Sequence, residues 1–236
     1  MFGFAGFTIL GGVFSAHEAR AIIAGVERGL SQSPNAARSS RGVVYAARNV
    51  LEFWPPSRAI WRKSILTDFL SQALGESLGL VRVLYFDKPP ERTWSLPWHQ
   101  DLTIAVQEHR PTEGFSKPTT KEGVRHFEAP IELLERMATV RIHLDEVGDD
   151  NGPLEVVEGS HRFGKQINLQ AGPIRSIHAS IGDCLVMRPL LVHASGPSHS
   201  ETTRHRRILH LEFAADPIPA TGLEWHTFVP FFEASS

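Results

Sequence analysis

The apolar and polar positions divide the chain into a helical first third and a β-rich remainder. "GFTILGGVF" (residues 6–14) reads as a strand broken at Gly11-Gly12. "SAHEARAIIAGVERGLSQ" (15–32) then reads as a helix, with Ser15 and Glu18 at capping-box spacing and Ile22, Ile23 and Val26 as its apolar stripe. Residues 31–43, rich in Ser, Asn and Arg, predict a mobile loop. "PPSRAIWRKSILTDFLSQALG" (55–75) predicts one or two helices that turn Ile60, Leu66, Phe69, Leu70 and Leu74 inward.

From residue 80 the texture becomes short β runs. "LVRVLYFDK" (80–88) alternates, a Pro-rich turn follows, and "WHQDLTIAV" (98–106) predicts the next strand. Residues 107–130 are polar and rich in turn formers, too long for a plain hairpin connection and suited to a flap or lid. "IELLERMA" (131–138) predicts a short helical turn, and "TVRIHLDEV" (139–147) a strand. "GDDNG" is an acidic turn whose spacing is unlike a calcium loop. "PLEVVEGS" (153–160), "SIGDCLVMRPLLVHASG" (180–196) and "RRILHLEFA" (206–214) complete the β region. Helices first, then many closely spaced strands, predict a mainly β fold with flanking helices. Its natural form is a double-stranded β-helix, the jelly-roll or cupin-like core. No break in composition suggests two domains, so residues 1–236 are expected to form one, with 107–130 as a lid insertion.

Composition narrows the function classes. With 42% hydrophobic and 21% charged residues the chain is an ordinary globular sequence. A net charge of −2 gives no reason to expect nucleic acid or an anionic membrane as partner. The N-terminal apolar stretch lacks a basic flank and a cleavage site, and no run reaches the ~18 apolar residues of a membrane span. The single cysteine, Cys184, excludes an internal disulfide and is expected to be a small buried hydrophobe; it fits a reducing, cytoplasmic setting. Twelve histidines license a search for a metal site.

His99 and Asp101 lie two apart, and in a strand they would project to one face with Gln100 on the other. Such a pair can equally be two polar side chains at a strand end. His193, closing an apolar run, changes the picture, because a jelly roll can bring its strand end beside the earlier one. Two histidines and a carboxylate on one face of a metal leave adjacent positions open, the facial triad of non-haem Fe(II) oxygenases. A structural histidine capping a strand is the competing reading. Beyond His193 lies a cationic cluster, Arg204, Arg206 and Arg207. An arginine fork matches a carboxylate bidentately, as a 2-oxoglutarate cosubstrate would require. Alternation places Arg206, Ile208, His210 and Glu212 on one face and Arg207, Leu209, Leu211 and Phe213 on the other. Alternation alone does not say which face is inside, although apolarity would favour the second.

Four blocks in order resemble the phytanoyl-CoA dioxygenase family of Fe(II)/2-oxoglutarate oxygenases. They are "GFTILGGVFSAHEA", "YFDKPPERTWSLPWHQD", "NGPLEVVEGSHRFG" and "GDCLVMRPLLVHASGPSHS…RRILHLEF". The resemblance implies His99, Asp101 and His193 as iron ligands and Arg206 as the arginine that pairs the distal carboxylate of 2-oxoglutarate. The gap from His193 leaves Arg204 and Arg207 as further claimants. It further implies Ser195 and Gln100 as cosubstrate contacts, Arg141 where some members carry tryptophan, and His161 as a structural fixture near the barrel mouth. His126 and Phe127 in the lid, and His143 beside Arg141 on its strand, are candidates to face substrate.

The implied chemistry uses Fe(II), 2-oxoglutarate and O2, releases succinate and carbon dioxide, and oxidises an unactivated C–H bond of a small molecule. Halogenating relatives carry a small residue in place of the carboxylate, so Asp101 implies hydroxylation or a related desaturation or cyclisation. Two rivals remain at this stage: a jelly-roll metalloenzyme of hydrolase or isomerase type, and a non-catalytic metabolite-binding jelly roll. The mixed charges of 107–130 offer no long apolar groove for an acyl-CoA.

Overall fold

The computed structural model describes residues 2–40, 43–90 and 94–232. Its largest sheet runs β1 (Phe7–Leu10), β12 (Cys184–Met187), β9 (Met137–His143), β14 (Arg206–Ala214), β4 (Gly79–Lys88), β3 (Val43–Ala47) and β2 (Ala37–Ser40), with β15 (Val229–Pro230) also pairing β4. A second sheet runs β11 (Ile174–Ile177), β10 (Leu154–Val157), β13 (His193–Ser195) and β5 (Leu96–His99). A third contains β6 (Thr103–Val106), β8 (Val124–Glu128) and β7 (Ser116–Lys121). The pairings are antiparallel, as the jelly-roll expectation requires.

Helices α1 (Ala16–Gln32), α2 (Val50–Phe53) and α3 (Ser64–Leu74) supply the covering layer, and α4 (Ile131–Leu134) is the short turn before β9. The α1 capping box forms as expected: the Ser15 hydroxyl accepts from the Glu18 amide, and the Glu18 carboxylate accepts from the Ser15 amide. Ile22, Ile23 and Val26 of α1, with Leu66 and Leu70 of α3, pack on Val83, Tyr85, Val140, Ile142, Leu209, Leu211 and Phe213 of the large sheet. Trp61 meets Phe213 edge-on at 5.1 Å. Each of these buried side chains contributes on the order of 1.5–3 kcal/mol.

At its central strands, β9 and β14, the large sheet is therefore buried on both faces. Its helix-side face is apolar. Its other face carries Arg82, Lys88, Arg141, Arg206, His210 and Glu212, and of these Arg82, Arg141, Arg206, His210 and Glu212 line a cavity inside the barrel. The more apolar face of β14 is the one that the helices cover. Leu154, Val156, Ile177, Leu185, Met187 and Leu191 fill the space between the two sheets.

Three expectations need correction. Residues 31–43 are not a loop: α1 runs to Gln32, a 3-10 turn follows, and β2 pairs β3, with residues 41 and 42 outside the described residues. Part of the Pro-rich turn before β5, residues 91–93, likewise lies outside them. The single strand expected over 98–106 is two strands in different sheets, broken at residues 100–102. Residues 107–130 are mostly an ordered hairpin, β7–β8, added to β6. At its tip Glu122 (φ 50°) and Gly123 (φ 81°) are both left-handed, as a tight two-residue hairpin turn demands. Residues 180–196 form two strands, β12 and β13, within the one or two that the sequence predicts, and they lie in different sheets. Cys184 is fully buried, as expected. Among the described residues no helix is long and apolar enough to cross a membrane.

Candidate active site

The site is built on one cross-strand pair. β13 runs antiparallel to β5 with His193 opposite His99, which sets their ring centroids 4.1 Å apart. Nδ1 of His99 lies 2.7 Å from the Pro97 carbonyl oxygen, and Nδ1 of His193 lies 2.8 Å from that of Leu191. A carbonyl only accepts, so Nδ1 carries the proton in both rings and each Nε2 is left as a lone pair.

Asp101 reaches the same point by a different route from the one its spacing suggests. It lies in the break after β5, where its amide donates to the Pro189 carbonyl at 3.0 Å. One ligand atom from each of His99, Asp101 and His193 falls within 4.8 Å of the others. Asp101 Oδ2 is 3.8 Å from His193 Nε2, and it is buried without a hydrogen-bond partner. Burial alone would raise the Asp101 carboxyl, but His193, His210, His99 and Arg141 hold it at about 2. Burial pushes His193 down to about 4, so its imidazole is neutral near pH 7. A carboxylate, the neutral His193 imidazole and the His99 ring, converging with no competing donor on the oxygen among the described residues, suit a divalent first-row metal.

Behind this triad lies a group of buried cations. Arg206 is 4% exposed and stands opposite Lys88 across the β14–β4 ladder. Arg141 comes from β9. Nε of Arg206 and Nε of Arg141 are both buried without partners. Burial lowers Arg206 to about 9, helped by Arg141, and lowers Arg141 to about 10 against the opposing pull of Asp101. Lys88 donates to the Gly196 carbonyl at 2.6 Å and sits 4.8 Å over the Trp94 ring. Burial, with Arg206 and Arg141, brings it down to about 7. Three buried cations against Asp101 alone, with two guanidinium N–H groups unsatisfied, make a receptor for an anionic small molecule. A dicarboxylate fits that demand.

The three clustered arginines separate cleanly. Arg204 pairs with Asp150, and Arg207 makes a fork to Asp145 at 2.8 and 2.7 Å. Of the three, Arg206 alone lines the cavity with the triad. Ser195 and Arg141 line it too.

Gln100 does not. Its amide nitrogen donates to the carbonyls of Gly164 (2.7 Å) and Leu190 (2.6 Å), so the side chain braces the backbone instead of facing a cosubstrate. The three proposed substrate residues are also placed elsewhere. Phe127 packs with Ile104, Leu133, Leu134 and Trp225 in a separate apolar cluster. His126 is buried, with Nδ1 3.0 Å from the Val124 carbonyl, and desolvation lowers it to about 4. His143 is buried with Nδ1 3.3 Å from the Asp183 carbonyl, and desolvation lowers it to about 3. None of them lines the triad cavity or the pocket that adjoins it. His161, read as structural, packs against Gly6 away from both.

Sequence reasoning missed the rest of the wall: Arg82, Leu84 and Phe86 of β4, Trp94 and Leu96 before the triad, and His210 and Glu212 of β14. Alternation in "VRVLYFDK" was the available signal, since it aligns Arg82, Leu84, Phe86 and Lys88 on one face. Glu212 accepts from Arg82 Nε at 2.9 Å and from its Nη2, and Arg82 Nη2 also donates to the Thr103 carbonyl at 3.1 Å. His210 connects this pair to the triad side: Nε2 lies 3.3 Å from Glu212 and Nδ1 3.3 Å from Arg141. A carboxylate accepts and a guanidinium donates, so His210 carries its proton on Nε2.

The fold and this cluster define a double-stranded β-helix metalloprotein with an anion receptor beside the metal-ligand group. The family model described as Phytanoyl-CoA dioxygenase (PhyH) matches residues 3–206, and the chain belongs to that family. Membership makes it an Fe(II)/2-oxoglutarate-dependent oxygenase, iron and 2-oxoglutarate being the family's cofactor and cosubstrate. Solved structures share the fold. AviO1 from Streptomyces viridochromogenes Tue57 is 23% identical with a TM-score of 0.65, over 90% of this chain and 91% of that one. EctD from S. alaskensis is 17% identical with a TM-score of 0.68, over 90% and 74%. The non-heme alpha ketoglutarate dependent carbocyclase SnoK from nogalamycin biosynthesis is 16% identical with a TM-score of 0.66, over 92% and 82%. EctD has been solved with bound Fe, and with 2-oxoglutarate and 5-hydroxyectoine.

Proposed function

We propose that this chain hydroxylates an unactivated C–H bond of a small metabolite, with release of succinate and carbon dioxide. In this reading His99, Asp101 and His193 hold the iron, and Arg206 anchors the distal carboxylate of 2-oxoglutarate with Arg141 and Ser195 beside it. The observation that carries it is the juxtaposition of three converging ligand atoms with two buried guanidiniums whose Nε atoms have no partner among the described residues. Bound iron with its cosubstrate supplies the oxidising power. The protein's own residues orient the ligands, hold the anion, and exclude water from a cavity lined on one side by Leu84, Phe86, Trp94 and Leu96. A carboxylate at position 101 favours oxygen insertion over halogenation. The chain acts as one domain in this reading, with residues 107–130 covering the mouth.

The test is a succinate-release screen against metabolite pools, with Fe(II) and 2-oxoglutarate supplied and product masses measured. A product heavier by one oxygen, formed with stoichiometric succinate, is the expected result. Turnover that persists without 2-oxoglutarate, or with zinc replacing iron, refutes the reading in favour of a hydrolase or isomerase. Ligand binding without succinate release from any pool refutes it in favour of a binding module.

A further inference from the structure

Outside the triad cavity lies a second, larger pocket of about 400 Å³. Leu84, Phe86, Trp94 and Leu96 line both, so the two spaces adjoin across these side chains. The volume is at the small end of ligand pockets, which run roughly 300–1,000 Å³. These four shared walls are apolar, and the far wall carries Arg38 and Arg48.

Those two arginines share one carboxylate. Glu122, at the tip of the β7–β8 hairpin, lies 3.3 Å from Arg38 and 3.5 Å from Arg48. Both distances exceed the ~2.7–2.9 Å of a well-formed charged hydrogen bond. Lys121, beside Glu122, is partly buried and feels Arg48, Arg82 and Arg38. Arg82 and Glu212 neutralise one another deeper in. The two lining arginines thus answer to a single loosely held carboxylate, leaving one positive charge unmatched among the described residues at this end of the pocket. Trp94 adds a buried indole N–H that has no acceptor.

We propose that this pocket is the substrate subsite and that the substrate is an acid, a compact apolar body bearing a carboxylate or phosphate group. The body lies on Leu84, Phe86, Trp94 and Leu96. The anion engages Arg38 and Arg48, competing with Glu122 for them. Because the apolar walls are the ones shared with the triad cavity, the C–H bond presented for oxidation lies in the apolar part, remote from the anion. This inference rests on the oxygenase reading of the inner site, and it names the class of molecule that site works on.

The experiment uses protein loaded with Fe(II) and saturating 2-oxoglutarate under nitrogen. Four probes are titrated: 4-phenylbutyrate, 4-phenylbutyl phosphate, 4-phenylbutanol and 4-phenylbutylamine. Tryptophan fluorescence reports binding, and the visible band of the iron–2-oxoglutarate chelate is recorded in parallel. At least one of the anions should bind about tenfold tighter than the alcohol, and the amine weakest. Which anion leads separates a carboxylate from a phosphate substrate. The double variant Arg38→Ala/Arg48→Ala should erase the preference with the chelate band intact. Glu122→Gln, which removes the competitor and leaves both arginines, should tighten anion binding severalfold. Equal binding of acid and alcohol, a preference that survives loss of both arginines, or no binding of any probe overturns the proposal. Absence of the chelate band with the anion preference kept refutes the oxygenase reading and upholds the acid pocket.

Discussion

Replacing Arg206 by methionine should make the protein more stable and worse at its chemistry. Methionine keeps the length of the side chain and removes the charge. Arg206 is 4% exposed, has an unpartnered Nε, and lies near two other buried cations, Arg141 and Lys88. Exchanging such buried charge for apolar side chains of similar volume gains ~1–4 kcal/mol. In a chain of this length each kcal/mol moves Tm by about 2–4 °C, so the ligand-free protein should melt at least ~2 °C higher. Cosubstrate binding moves the other way. Two parallel charged hydrogen bonds at ~1.5–3 kcal/mol each are lost, and Arg141 and Lys88 recover part of them. A net loss of about 3 kcal/mol weakens 2-oxoglutarate about a hundredfold. Thermal melts with and without 2-oxoglutarate, together with titration of the chelate band, read both terms in one preparation. The expected result is a higher ligand-free Tm and a vanishing 2-oxoglutarate-induced rise. Arg204→Met and Arg207→Met should leave the titration unchanged, because Asp150 and Asp145 hold those side chains. A lower ligand-free Tm with cosubstrate affinity retained would show Arg206 to be a structural cation and sink the assignment.

Two further outcomes follow from the buried charges. Lys88 titrates near 7 before an anion arrives, and a bound dicarboxylate raises that value, so binding takes up a proton above neutrality. The Tm rise conferred by 2-oxoglutarate should be largest at about pH 6, where Lys88 is already charged, and shrink toward pH 8.5; a pH-independent rise in the wild type, or an unchanged pH profile in Lys88→Met, refutes this. Glu212→Ala leaves Arg82 buried without its partner, at a cost of ~3–5 kcal/mol by chemical denaturation, most of which Arg82→Met/Glu212→Leu should recover; a double variant no better than the single one would disprove the coupling.

Local chemistry was readable in the sequence where it depended on neighbours a few residues away. The α1 capping box, the stripe of Ile22, Ile23 and Val26, and the bounds of β14 all belong to this kind. What depended on distant partners was hidden. The strand expected over 98–106 breaks because the Gln100 amide reaches Gly164 and Leu190, and the Asp101 amide reaches Pro189, all more than sixty residues away. Asp101 therefore joins His99 through that break and not through the alternation that first suggested the pair. The β7–β8 hairpin was hidden for another reason. "SKPTTK" is largely exposed and polar, so it carries no two-residue hydrophobic signal. Alternation left the inner face of β14 open, because periodicity distinguishes two faces but cannot say that both are covered.

The inner face of β4 shows how one alternating strand can order the whole site. Successive inward residues are roughly 7 Å apart along a strand. Arg82 lies at one end, closed by Glu212. Leu84 and Phe86 follow, as the walls common to both cavities. Lys88 lies at the other end, opposite Arg206. Charge sits at the ends, with Glu212 held at one and, in the proposed reading, the cosubstrate's carboxylate at the other; the middle is apolar, where the proposed C–H bond would approach the metal without water. Substitution at the two middle positions can reshape the space offered to a substrate while both charged ends keep their partners. That separation lets the anion receptor and ligand triad stay constant while the molecule being oxidised changes.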